Sequence, residues 1–521
     1  MRLSAIAITF HAIDSIQYVS AMDPIIDLGY VKYKGIFNAT SRTNQWYGIR
    51  YAQPPIGELR WQTPRDIEVH NNYSSSIFDA TVAGPSCVQG SPPWPGATFD
   101  PLTSESSEDC LLLNVLAPIE PASATLPVLV QIHGGGYNTG SSQNFPGNAL
   151  VYQSQGGLIY VSVQYRLGAY GFLGGAEVTE NGVANVGLLD QRAALNWVQR
   201  HIGAFGGDPA KVTIIGASAG GGSVINQMII YGGESNPPFR AVIADYPWMQ
   251  PFHNDSIIQR QYGHLLSGAN CSDIACLRSL SSEDLATASI LSYSTAYANG
   301  EYGFGDYYYG PYVDGNVIRD LPSQEFKTGQ FAKVPLLITR EGYEGAIFSN
   351  TSETTTSEVQ QGLETLFPNA RWSFFDRLYQ LYPRTAYNST YFQRQQLFGD
   401  FIIACPTYYL GAAVSDSGNS VYKMNFDAGS QVHGALVPFL ESLNLAASMI
   451  RSYYISFATS LDPNAVTYTN ASLPRWPRYQ DDESDSFTVL NVTYGGIEAA
   501  PDNDVSPQCD FFHSQSYIVR N

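Results

Sequence analysis

The chain has 521 residues, 44% of them hydrophobic, enough to bury a large core. Its formal net charge of -19 argues against nucleic acid and against anionic membrane surfaces as partners. No internal run of about 18 apolar residues occurs, so no transmembrane helix is expected.

Residues 1–21 resemble a secretory signal peptide. Arg2 supplies positive charge, Leu3 to Ile13 is mostly apolar, and Val19-Ser20-Ala21 has the small residues of a cleavage site, although His11 and Asp14 interrupt the pattern. Six cysteines, an even number, fit an oxidising compartment. Eight N-x-S/T sequons, at Asn38, Asn72, Asn254, Asn270, Asn350, Asn388, Asn470 and Asn491, favour a glycosylated, extracellular protein. The expected mature chain is residues 22–521.

Short strand-like pieces fill residues 25–70, with a rigid turn in Tyr47 to Gly57, where two prolines and two glycines crowd together. Cys87 and Cys110 bracket a 22-residue loop rich in Pro, Gly and Ser, which suggests a disulfide-closed surface loop. The period then changes. Pro127 to His133 and Leu158 to Tyr165 read as buried strands, and Gly187 to Ala204 has helical spacing with a broad apolar face. Val212 to Ala217, Ala241 to Tyr246, Val334 to Thr339 and Val421 to Phe426 are further strands. Leu445 to Ser460 is a second amphipathic helix. Strands alternating with helices imply an α/β fold, with a mainly parallel central sheet covered on both faces. No linker or repeat divides the chain, so it reads as one large domain with insertions. Residues 250–330 are irregular and rich in tyrosine. They are either an aromatic wall over a pocket or a surface insertion packing on itself.

Gly216-Ala217-Ser218-Ala219-Gly220 is the pattern G-x-S-x-G between a strand and a helix. Such a turn pushes the serine hydroxyl out at the top of the sheet, and the helix behind it favours an oxyanion there. A serine needs a base, usually a histidine held by a carboxylate, in the chain order Ser, acid, His. Four histidines follow Ser218: His253, His264, His433 and His513. His433 lies in a loop just after a strand, where a base belongs. Glu341 and Glu344 both follow the strand ending at Thr339, and position alone leaves both open as the acid. His133-Gly134-Gly135-Gly136 ends an earlier strand, and its bare backbone can approach a reacting oxygen together with the N–H of Ala219.

With these residues in hand, the chain resembles the type-B carboxylesterase/lipase family of the α/β-hydrolase fold, and secreted fungal members in particular. The likeness spans about residues 28–480. It rests on Phe205 to Gly220, on Glu108-Asp109-Cys110-Leu111 through Pro118, on Tyr47 to Trp61 and on Gly310 to Gly315. The resemblance implies Ser218 as nucleophile and His433 as base. It prefers Glu344 as acid, because Glu344-Gly345-Ala346-Ile347-Phe348 fits the family's E-G-x-x-F. It implies Gly135, Gly136 and Ala219 as oxyanion donors, and structural ion pairs Arg60 with Glu108 and Arg166 with Asp190. It also implies disulfides Cys87–Cys110 and Cys271–Cys276, with Cys405 and Cys509 left to pair by subtraction. No cofactor or metal is expected, and the partner is a small-molecule ester. Three positions depart from the family's habit: Leu112 stands where Tyr or Thr is usual, and Ala217 before the nucleophile and Leu436 three residues after the histidine stand where glutamates are usual. The expected activity is hydrolysis of short- to medium-chain dissolved esters. The alternatives are a lipase activated at interfaces, and a non-catalytic adhesion-type relative, which would lack the nucleophile or base. A cholinesterase fits less well, because Trp94 sits early in the first disulfide loop.

Overall fold

The computed structural model describes residues 23–69, 71, 73, 76–94, 102–103, 105–442, 444–481 and 484–521. The signal-like segment, Asn72 and most of the middle of the Cys87–Cys110 loop lie outside the described residues.

A twelve-stranded sheet organises the chain. Its strands, in chain order, are β1 (Ile36–Asn38), β2 (Thr43–Arg50), β3 (Leu112–Pro118), β4 (Leu126–Ile132), β5 (Ile159–Val163) and β6 (Gly207–Ala217). Then come β7 (Ala241–Asp245), β8 (Leu336–Glu341), β9 (Val421–Asp427), β10 (Gln480–Asp481), β11 (Ser484–Thr493) and β12 (Gly496–Pro501). The spatial order is β10-β11-β9-β8-β7-β6-β4-β5-β3-β2-β1, with β12 on the other side of β11. Strands β5, β4, β6, β7, β8, β9 and β11 are mutually parallel, and both ends of the sheet are antiparallel.

The parallel strands are near-continuous runs of buried aliphatic residues, as strands covered on both faces must be. Val128, Leu129, Val130 and Ile132 of β4, with Val212, Ile214 and Ile215 of β6, are all within 3% of complete burial. Helices α1 (Val186–His201), α2 (Ala219–Ile229), α3 (Asp255–Ala269) and α4 (Ser282–Ala298) follow, α2 packing directly on β6 and β7. Later come α5 (Thr390–Gly399), α6 (Cys405–Asp416), α7 (Val437–Glu441) and α8 (Leu445–Ser460). A short π-helical stretch, Asp400–Ala404, joins α5 to α6. The whole run Thr390–Asp416 is long and apolar enough to cross a bilayer, yet most of it is buried inside the fold, as a core helix is.

The strand and helix positions read from the sequence agree to within a few residues. The hairpin β11–β12 does not appear in that reading. Its Asn and Thr residues alternate with apolar ones, and β12 is largely exposed, so it lacks the continuous apolar signal of the inner strands.

Disulfides join Cys87 to Cys110, Cys271 to Cys276, and Cys405 to Cys509. Arg60 meets Glu108 through two hydrogen bonds, at 2.8 and 2.6 Å, and both side chains are buried. The same guanidinium donates to the carbonyls of Leu277 and Leu280, which ties the amino-terminal segment to the insertion. Arg166 holds Asp190 in the same forked manner, at 2.7 Å in each bond. Planar two-point pairing of this kind satisfies both buried charges at once.

Candidate active site

The strand β6 ends at Ala217 and the helix α2 begins at Ala219, leaving Ser218 alone at the bend. Its backbone angles, φ 58° and ψ -127°, are strained for a residue with a side chain. The bend is possible because of its neighbours. A β-carbon on Gly220 would stand 2.2 Å from the carbonyl oxygen of Ile132, so the helix could not come this close to β4. The strain is held by hydrogen bonds from Ser218 N to Asp245 O and from Trp248 N to Ser218 O.

Ser218 Oγ lies 2.8 Å from Nε2 of His433, and His433 Nδ1 lies 2.7 Å from Oε2 of Glu344. With Nδ1 protonated toward the carboxylate, Nε2 keeps its lone pair for the serine proton. His433 stands in the turn after β9, and the Tyr343–Val432 bridge locks that turn to the loop after β8. Tyr246, Phe348 and Trp248 set ring edges against the imidazole, at centroid distances of 4.9, 5.0 and 5.9 Å. They pack around it and hold its plane.

The other candidates go elsewhere. Glu341 is buried, but its Oε1 accepts the N–H of Leu436 at 2.7 Å rather than facing His433. Burial, reinforced by the nearby charge of Glu344, pushes its carboxyl well above the usual range. His253 is half-buried beside Tyr308, His264 pairs with Glu301, and His513 packs on Tyr409.

The His133–Gly136 run folds tightly against the serine turn. A β-carbon on Gly134 would meet the carbonyl oxygen of Ala217 at 2.5 Å. Gly135 has φ 107°, open to glycine and strained for anything else. Among the described residues, the N–H groups of Gly135, Gly136 and Ala219 donate to no other backbone group. Tyr307 lies flat against Gly136, where any β-carbon would strike its ring.

The Tyr-rich segment combines both readings made from sequence. Tyr293, Tyr302, Tyr308 and Tyr309 are buried and pack on one another at centroid distances of 5.0 to 6.3 Å. Tyr307 alone reaches the site, against Trp94 and Trp248.

A cavity of about 330 Å³ opens beside Ser218 and His433, with Ile215, Phe145, Val437 and Leu440 among its walls. That is the lower end of the range for small-molecule sites. A larger hollow of about 860 Å³ lies between Tyr152, Leu445 and Thr469, but it contains no histidine and does not reach Ser218. Sequence reasoning missed two side chains of the smaller cavity, Gln131 and Asp245. The only available signal was their polarity at the ends of otherwise apolar strands.

The chain is similar to secreted lipase 1 of Botryotinia fuckeliana, 32% identical with 93% of this chain and 91% of that one covered. It is also similar to carboxylesterase patB of Penicillium expansum, 31% identical with 96% and 97% covered. Among solved structures, EstA of Aspergillus niger superposes with a TM-score of 0.84 at 27% identity, covering 96% of this chain and 99% of that one. The family model described as the carboxylesterase family matches residues 23–511, and the chain therefore belongs to the carboxylesterase family, with the α/β-hydrolase fold of its structural relatives and the hydrolysis of carboxylic esters as its chemistry.

Proposed function

We infer that the protein is a secreted serine esterase acting through an acyl-enzyme, with Ser218, His433 and Glu344 as its catalytic residues. The observation that carries this reading is the unbroken path from Ser218 Oγ through the imidazole to Glu344, with bonds of 2.8 and 2.7 Å. His433 takes the serine proton as Oγ attacks the ester carbonyl. Glu344 stabilises the imidazolium so formed. The N–H groups of Gly135, Gly136 and Ala219 hold the developing oxyanion. His433 then returns the proton to the leaving alcohol, and water releases the acyl group by the same route. The aromatic edges around His433 and the strained serine are in place before substrate arrives, so little reorganisation accompanies the chemistry.

Short- to medium-chain dissolved esters are the favoured substrates. The 22 residues between Cys87 and Cys110 include four prolines and form no amphipathic helix in sequence, which leaves little material for a lid. Secretion is supported by the signal-like residues 1–21, by three disulfides and by the secreted relative. Asn270, Asn388 and Asn470 are exposed and open to oligosaccharide, and Asn38, Asn254, Asn350 and Asn491 are half-buried. Residues 22–521 act as one hydrolase domain.

The test is Ser218→Ala in the purified, refolded-checked protein. Loss of ester hydrolysis by several orders of magnitude with unchanged thermal unfolding is expected. Near-normal turnover by this variant would remove Ser218 from the mechanism and leave the non-catalytic relative as the better reading.

A further inference from the structure

The sheet face beside Ser218 is more polar than ester cleavage itself needs. Side chains alternate along a strand, so Gln131 and His133 on the β4 side share a face with Ile215 and Ala217 at the end of β6. The register pairs Gln131 with Ile215, and Ala217 with Asp245 at the end of β7. Ala217 therefore sits between His133 and Asp245, with Gln131 on the diagonal. All of these residues line the 330 Å³ cavity. Because Ala217 contributes only a methyl group, a trough stays open between its polar neighbours.

Each neighbour has unused hydrogen-bonding capacity. The Gln131 side chain is 5% exposed, and its Oε1 is buried with no partner in the protein. His133 Nδ1 lies 2.9 Å from its acceptor, the Gly134 carbonyl, so Nδ1 carries the ring proton. That leaves Nε2 as a lone pair, also buried without a partner. Stacking on Tyr165, at 4.5 Å between centroids, fixes the ring. Asp245 receives the hydroxyls of Tyr454 and Thr339 on Oδ1, at 2.5 and 3.1 Å, and Oδ2 has no bond to a described residue. Buried polar groups are as a rule paired, so a cluster of three with spare capacity at the end of an apolar cavity asks for a polar ligand.

We propose that this trough is a hydroxyl-reading subsite for the alcohol half of the ester, and that the preferred substrates are monoesters of small diols or polyols. The proposal rests on ester hydrolysis at Ser218. The alcohol side follows from the direction of proton transfer: the leaving oxygen takes its proton from His433 Nε2, and His433 and Gly434 wall this cavity. A hydroxyl both donates and accepts, so one group can pair with the Gln131 amide and with a free acceptor beside it. An ammonium group fits less well. Burial pushes the Asp245 carboxyl up to about 7, and its Oδ1 is already taken by two hydroxyls.

The experiment compares kcat/KM for 4-hydroxybutyl butanoate and pentyl butanoate, which differ by hydroxyl against methyl at one position. The full-length enzyme and its Gln131→Leu and Gln131→Met variants are used. The wild type is expected to favour the hydroxyl ester at least fivefold, because a site built for a hydroxyl discriminates against the methyl analogue. Both variants should lose or reverse the preference, the hydroxyl ester falling at least fivefold in kcat/KM while the pentyl ester is still turned over. Retained turnover of the pentyl ester also shows that the variants fold. A wild-type preference for pentyl butanoate, or a hydroxyl preference that both variants keep, would overturn the subsite. Two further arms complete the test: methyl 6-hydroxyhexanoate against methyl heptanoate, and 4-(trimethylammonio)butyl butanoate. A hydroxyl preference confined to the acyl pair would overturn the alcohol-side assignment, and the ammonium ester as best substrate would overturn hydroxyl reading. Hydrolysis of none of these esters would instead strike at the esterase reading itself.

Discussion

Glu341 donates its backbone N–H to Oε1 of Glu344 at 2.6 Å, so the residue next in line for the role of acid is the one that positions it. The Glu341 carboxyl points away and accepts from Leu436, just beyond His433. One residue thus ties together the two loops that carry Glu344 and His433.

This division of labour predicts unequal effects of the same substitution. Glu344→Gln removes the charge that stabilises the imidazolium and should lower kcat by about 10³- to 10⁴-fold. Glu341→Gln should stay within about tenfold of wild type, because burial already favours the neutral form of that carboxyl and an amide oxygen can still accept from Leu436. Kinetics of the two purified variants on one soluble ester decide the matter. Equal or reversed losses would exchange the roles.

Why sequence alone could not separate the two glutamates is physical. Glu341 closes β8 and Glu344 lies three residues further on, and each precedes a glycine. Only the turn between them determines which one meets the His433 loop, and that loop comes from 89 residues further along the chain. Ser218 and His433, by contrast, were legible, because strand-to-turn position marks them locally. The parallel core was legible for the same reason: its strands are uniform apolar runs. The Gln131–Ala217–Asp245 trough was not, because it exists only in the register between three strands.

Stability should depend on pH through buried carboxyls. Asp306 is 5% exposed, and burial pushes it up to about 7 from an ordinary value of 3.8. The folded state holds a proton that the unfolded chain releases above pH 4. The unfolded state therefore binds fewer protons between about pH 4 and 7, and stability falls as pH rises through that window. Asp306→Asn, which cannot ionise, should flatten this fall by up to about 4 kcal/mol, the full value of the shift and hence an upper bound. Its advantage over wild type should be larger at pH 8 than at pH 5 in thermal or urea unfolding. A constant difference between the two proteins across that range would show that Asp306 does not titrate there.

The Arg60–Glu108 pair yields a stability prediction with a sign that depends on the variant. Glu108→Gln leaves the guanidinium of Arg60 buried without its counter-ion, although three backbone carbonyls still receive its Nη1. Breaking a buried pair from one side costs about 3–5 kcal/mol. A hydrophobic replacement of both partners, Arg60→Met with Glu108→Leu, should cost less than that single change, since no charge is left stranded. Urea denaturation of the two variants measures the order. A double variant that is the weaker of the two would mean that the carbonyl contacts, rather than the ion pair, hold the insertion to the amino-terminal segment.

The last prediction separates an esterase from a lipase. An interface-activated enzyme keeps an apolar cover over its site in water and opens it at an oil surface. Such a cover needs a segment with a broad apolar face and freedom to move. The loop between Cys87 and Cys110 has only 22 residues, VQGSPPWPGATFDPLTSESSED, and its four prolines forbid a long helix. Trp94 within it is buried and donates its indole N–H to the carbonyl of Asp306 at 2.9 Å, which anchors this part of the loop to the Tyr-rich insertion. The insertion is the other possible cover, but its tyrosines are locked. Tyr293, Tyr308 and Tyr309 are fully buried, and Tyr309 and Ser292 share a hydrogen bond at 2.9 Å. Lifting it would break a packed aromatic cluster rather than release a hinge. Rate should therefore rise smoothly and saturate as a sparingly soluble glyceride such as tributyrin is taken through its solubility limit. A sharp increase once emulsion forms would contradict the anchored loop and point to a lipase, with the Tyr-rich insertion as the segment that moves.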